Sequence, residues 1–138
     1  MSYGLAWAHA EDDFSTIEET VLMTKAMNGL VSGKDGAVTD YFVYAMAINE
    51  LVDAKYETDI SPEFKRYLDG YAAGLSAYAA ANPKQVRIKK AFPITGKDMI
   101  KGYTLRMILI SYAHGKVEDI VKGKFDIPEA KGSNAFAI

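Results

Sequence analysis

Ser61-Pro62-Glu63-Phe64-Lys65-Arg66-Tyr67-Leu68-Asp69-Gly70-Tyr71-Ala72-Ala73-Gly74-Leu75-Ser76-Ala77-Tyr78-Ala79-Ala80-Ala81 reads as a helix from its first residue to its last. Ser61 can cap it, Pro62 sits where a missing N–H does no harm, and Glu63 complements the positive end. Phe64, Tyr67, Leu68, Tyr71, Ala72, Leu75, Tyr78 and Ala79 recur at i, i+3, i+4, i+7, the signature of one buried face. That aromatic stripe reads as core packing, which any buried helix face needs, ahead of the alternative that it walls a substrate cavity. Gly70 and Gly74, one turn apart, allow another backbone to come close.

Forward of this helix, Asn82-Pro83 stops the pattern, and a connector with Val86 and Ile88 alternating leads to Phe92-Pro93-Ile94. Thr95 can cap the next helix, with Asp98 at its third position. From Lys97 to about His114 the apolar residues Met99, Ile100, Tyr103, Leu105, Met107, Ile108, Leu109, Ile110 and Tyr112 fall almost all round, which predicts burial on more than one side. His114-Gly115 ends it. A short helix is expected over Val117–Lys122, then an irregular run over 123–131.

The last seven residues, Gly132-Ser133-Asn134-Ala135-Phe136-Ala137-Ile138, place Asn134, Phe136 and Ile138 on one face and Ser133, Ala135 and Ala137 on the other. This reads as the first strand of a sheet whose partners would lie downstream. If the Gly132–Ser133 bond is broken, Ser133 gains a free α-amine with a pKa of roughly 7.7–8.0, which suits a general base beside its own hydroxyl. A plain Gly-Ser turn explains the same two residues.

Backward of the central helix, Leu5–Leu30 is predicted as a long helix, with Gly29 and Gly33 marking its end. Ser32-Gly33-Lys34-Asp35-Gly36 is expected to be a turn, because it lacks the residue order of a phosphate-binding loop. A second helix is expected from about Ala37 to Lys55, on Val38, Tyr41, Phe42, Ala45, Ile48 and Val52. His9, Glu11, Asp12 and Asp13 have ligand chemistry. His9 and Asp13 share a helical face, however, and a hydrogen-bonded pair accounts for them without a metal.

Composition bounds the rest. The 138 residues are 49% hydrophobic and 25% charged, a globular balance, with a net charge of −2 and no cysteine. No run reaches the eighteen or so apolar residues of a membrane span. Charge is unevenly placed: residues 1–63 carry twelve acidic and three basic side chains, and residues 64–138 six and thirteen. The halves should attract. The basic cluster Lys84, Arg87, Lys89 and Lys90 is then a connector answering the acidic half, with no nucleic-acid motif beside it.

Three stretches carry a resemblance. Tyr3-Gly4-Leu5-Ala6-Trp7-Ala8-His9-Ala10-Glu11-Asp12-Asp13-Phe14, Leu68-Asp69-Gly70-Tyr71-Ala72-Ala73-Gly74 and the Gly132–Ile138 stretch resemble, in order, an early motif, a helix and the processing site of the penicillin acylase and acyl-homoserine-lactone acylase family. The short run before Ser133 is closer to the short-linker acyl-homoserine-lactone branch. The resemblance implies a mainly α chain: the helical light-chain part of an αββα N-terminal-nucleophile hydrolase. Residues 1–132 would be light-chain-like, with a linker over 115–132, and residues 133–138 would begin the heavy chain.

It further implies an amidohydrolase acting on acylated small amines, with autocleavage at Gly132–Ser133 and Ser133 as catalytic nucleophile. Ile108 and Tyr112 would border the acyl pocket. No catalytic metal is expected; a structural calcium in the full-length protein is compatible with the family. The expected partners are the heavy chain and a small acylated amine, with a periplasmic or extracellular location and no nucleic acid. A chain ending at Ile138 is expected to be inactive and to self-associate, since its helices would lack their sheet. A non-enzymatic helical module that binds a protein partner or itself is the alternative.

Overall fold

A computed structural model describes residues 1–111 of this chain. Those residues form five α-helices: α1 (Ser2–Thr24), α2 (Gly29–Ala45), α3 (Ile48–Asp59), α4 (Pro62–Ala81) and α5 (Gly96–Ile110), with a 3-10 turn at Lys89–Ala91. No strand occurs among them, in keeping with the mainly α class. The expected strand at 133–138 and the short helix at Val117–Lys122 lie outside the described residues.

The central helix stands where the sequence puts it. Ser61 accepts a hydrogen bond from the Phe64 N–H, and Pro62 opens α4. Thr95 and Asp98 form a reciprocal capping box at the start of α5, satisfying two donors that the first turn leaves without helical partners.

The N-terminal boundaries differ from expectation. α1 ends at Thr24 rather than near Leu30, closed by Ala26 in the left-handed region (φ 50°). The Ala26 N–H bonds to the Met23 carbonyl at 3.1 Å and the Met27 N–H to the Leu22 carbonyl at 2.8 Å. This pair is a Schellman closure with alanine in the position glycine usually takes. Gly29, read as an end, begins α2 instead. The expected turn over 32–36 lies within α2, where the helix breaks only at Gly33 (φ 61°). Asp40 accepts from both the Asn28 and Gly29 N–H groups at 2.8 Å, capping the entrance of α2 from a later turn of the same helix. A second left-handed alanine, Ala47, divides the helix expected over 37–55 into α2 and α3.

Two apolar clusters hold the helices together. One joins α1 to α4 and the connector through Ala6, Ala10, Phe14, Ile17, Leu22, Ala72, Leu75, Tyr78 and Ile94. Within it the Phe14 ring lies 5.3 Å from Tyr78 and 5.8 Å from Phe92, and Trp7 meets Tyr78 edge-on at 5.4 Å. Gly70 and Gly74 admit the start of α1, because a Cβ at either would collide with Ser2 or with the Tyr3 carbonyl. The second cluster gathers Phe42, Val43, Ile48, Val52, Tyr56, Leu68 and Leu105 from α2, α3, α4 and α5.

Charge works as the sequence suggests. The fully buried Glu18 carboxylate accepts from Arg87 N at 2.7 Å, Ile88 N at 3.0 Å and Arg87 Nε at 2.8 Å, pinning the connector onto α1. Lys65 pairs with Glu57, and Lys97 and Lys101 both reach Asp53. One pair reverses the pattern: Lys25 bridges to Asp98 at 3.5 Å.

Candidate functional site

α1, α4 and α5 diverge to leave a groove of about 370 Å³. Its floor is apolar, made by Ile17, Val21, Leu75 and Ile94. One wall is a threonine stripe on α1, Thr16, Thr20 and Thr24, at i, i+4, i+8. The Thr20 hydroxyl bonds back to the Thr16 carbonyl at 3.0 Å and that of Thr24 to the Thr20 carbonyl at 2.8 Å. With those hydroxyls committed to their own helix, the wall is less polar than its composition suggests. Met99, Gly102, Tyr103 and Arg106 of α5 form the opposite wall. Gly102 lets α5 approach α1 closely, since a Cβ there would crowd the Thr24 side chain.

The polar groups sit at the rim. His9 Nδ1 is 2.5 Å from the Tyr71 hydroxyl, so the residue expected to pair with Asp13 is bonded across to α4 instead. Burial, with a smaller contribution from Tyr67, pushes the Tyr71 phenol above its ordinary pKa. A phenol so held can donate to Nδ1. Asp13 breaks the regular backbone of α1 (φ −154°, ψ 72°) and accepts from the Thr16 N–H at 3.1 Å, acting as an internal cap for the second half of the helix. Its carboxyl is held below the usual range by the Thr16 side chain first, then by the Thr16 backbone, with the His9 charge a smaller contribution.

No group of three or more His, Cys, Asp or Glu among the described residues is placed to hold a metal ion. No described helix is long and apolar enough to cross a membrane.

The residues singled out in the sequence distribute unevenly around this groove. Tyr71, His9 and Asp13 line it. Ile108 lies on another face of α5, half-buried against the second cluster with Leu105 and Leu109. Gly132, Ser133 and Tyr112 lie outside the described residues. Among the groove residues that sequence reasoning passed over are Thr16, Thr20, Thr24, Gly102 and Arg106. The i, i+4, i+8 threonine spacing is the one signal that pointed to a common face.

The model of the penicillin amidase family aligns with residues 1–125, which includes every described residue. A match over that share of the chain fixes its ancestry: this chain belongs to the penicillin amidase family.

Proposed function

We propose that the polypeptide this chain represents hydrolyses the amide bond between an acyl group and a small amine, of the penicillin or acyl-homoserine-lactone type, with Ser133 as nucleophile. Membership of the penicillin amidase family supports an acylase-related hydrolase. The observation that carries the finer reading is Gly132-Ser133-Asn134-Ala135-Phe136, standing downstream of the two other motifs in family order.

The chemistry is balanced as follows. Hydrolysis of the Gly132–Ser133 peptide bond adds one water and frees the Ser133 α-amine. Ser133 Oγ then attacks the substrate carbonyl while the α-amine takes the hydroxyl proton and passes it to the departing amine. The acyl ester on Ser133 is hydrolysed by a second water, releasing the acid and restoring the serine. Donors for the developing oxyanion are required; by family resemblance they come from sequence beyond Ile138, so residues 1–138 alone should not turn over substrate. Ile108 and Tyr112 remain proposed neighbours of the acyl group. The packing of Ile108 against the second cluster favours a supporting position for it over direct contact. A homo-oligomer of the isolated chain is likewise proposed, and light scattering tests it.

The deciding experiment is Ser133→Ala in the full-length protein. Loss of both chain cleavage, read by intact mass, and acyl hydrolysis is expected. Retention of either sinks the assignment.

A further inference from the structure

The connector cluster Lys84, Arg87, Lys89 and Lys90 answers the acidic half of the chain through one member. Arg87 reaches Glu18, whereas Lys84, Lys89 and Lys90 are exposed and take no part in the ion pairs among the described residues. Beside these lysines, the end of α4 and the connector enclose a second cleft, of about 330 Å³. Ala80, Pro83, Val86, Phe92 and Pro93 make its lining apolar, and among the described residues that line it Lys89 is the one charged side chain. Ser76 also lines it, but its hydroxyl already accepts from the Ile94 N–H at 3.0 Å.

We propose that this cleft binds a small monocarboxylate with an apolar body. Three observations select that class. The connector is fixed on both sides of the cleft: Glu18 holds Arg87 and Ile88, Ser76 holds Ile94, and the Tyr78 hydroxyl donates to Gln85 Oε1 at 3.3 Å. A site fixed in this way binds without first ordering its own loop. The volume stands at the small end of ligand pockets, which run from roughly 300 to 1,000 Å³, and so suits a small molecule rather than a stretch of protein. The charge agrees as well, since a single ammonium in an apolar lining matches a single negative charge. The apolar body packs on Val86, Phe92 and the two prolines, and the carboxylate accepts a charge-assisted hydrogen bond from Lys89 Nζ. Lys84 and Lys90, on the same connector, raise the positive potential that draws the anion in.

Acids of this class are what the hydrolysis proposed above would release, but the site stands on the cleft alone. Its test reads binding without turnover, so either reading can fail without the other. In the full-length protein, trace acetylation of lysines is followed by peptide mass mapping as hexanoate is added. Labelling of Lys89 is expected to fall with saturation, by about tenfold at ten times the half-protecting concentration. Lys34, exposed on α2, should label at an unchanged rate. Acetate, which lacks the apolar body, and hexanol, which lacks the charge, should each leave Lys89 unprotected. Ala80→Phe, at an exposed position of α4 on the cleft lining, should abolish the protection by hexanoate. Absence of protection at Lys89, or equal protection at Lys34, overturns the proposal. So does protection by acetate or by hexanol equal to that by hexanoate, and so does protection that survives Ala80→Phe.

Discussion

Arg87 Nε lies 2.8 Å from Oε2 of Glu18, a carboxylate wholly shielded from solvent, although the two residues stand 69 positions apart. The other oxygen of that carboxylate is filled by two backbone N–H groups, so a single side chain pins residues 87–88, the middle of the connector between α4 and α5.

Glu18→Ala should therefore destabilise the chain by about 3 kcal/mol, because it strands two backbone donors and an arginine at once. Arg87→Ala should also destabilise. The double variant should lose measurably less than the sum of the two single losses, as expected for residues in direct contact. Urea unfolding of the four proteins gives the coupling, and strict additivity would show that the contact carries no energy of its own.

Ala47 occupies the left-handed region (φ 50°) with its side chain exposed. Replacing it with glycine relieves a conformational cost of roughly 1–2 kcal/mol, and even after the added unfolded-chain entropy stability should rise by about 1 kcal/mol. Gly74→Ala should do the opposite. Alanine improves helix propensity by about 1 kcal/mol, but the new Cβ meets the Tyr3 carbonyl and Ala6. Thermal melts that rank Gly74→Ala above the parent protein would contradict this account of α1 against α4.

These two positions also mark how far the sequence could be read. Caps at Ser61 and Thr95 and the amphipathic face of α4 follow from local chemistry, so they were legible residue by residue. The ends of α1 and α2 were not. Their closing residues are alanines, and only tertiary packing holds an alanine at positive φ. The groove was hidden for a different reason: Thr16, Thr20 and Thr24 count as polar in any periodicity reading, whereas hydrogen bonds back to their own helix leave the methyls of Thr20 and Thr24 available to a wall. His9 was read as a partner of Asp13 because spacing along one helix is visible in sequence, whereas its contact with Tyr71 crosses 62 positions.

Asp13 offers a test with pH. Hydrogen bonding to Thr16 lowers its folded pKa below the ordinary aspartate value of 3.8, so its contribution to stability is present above that pH and is lost as pH falls through the folded value. Glu57, held down chiefly by Lys65, behaves alike below its own reference of 4.5. Asp13→Asn keeps a capping side chain and removes the titration. Its melting temperature should vary less than that of the parent between pH 5 and pH 3, values on either side of roughly 3.9. Parallel curves for the two proteins would remove Asp13 from the acid response.

The carboxylate of Asp40 meets the Asn28 and Gly29 N–H groups across only twelve and eleven positions. Closing a loop of that length costs about 1.5 kcal/mol less chain entropy than closing the 69-residue loop between Glu18 and Arg87. This favours an order of assembly in which the start of α2 forms around Asp40 on its own and the connector is fastened late. In stopped-flow experiments Asp40→Ala should slow refolding, while Glu18→Ala should mainly speed unfolding. The reverse pattern would place the Glu18 contact in the nucleus. A chain with this order has its N-terminal half in place before its later basic residues find their acidic partners, which suits a polypeptide that emerges from the ribosome one end first.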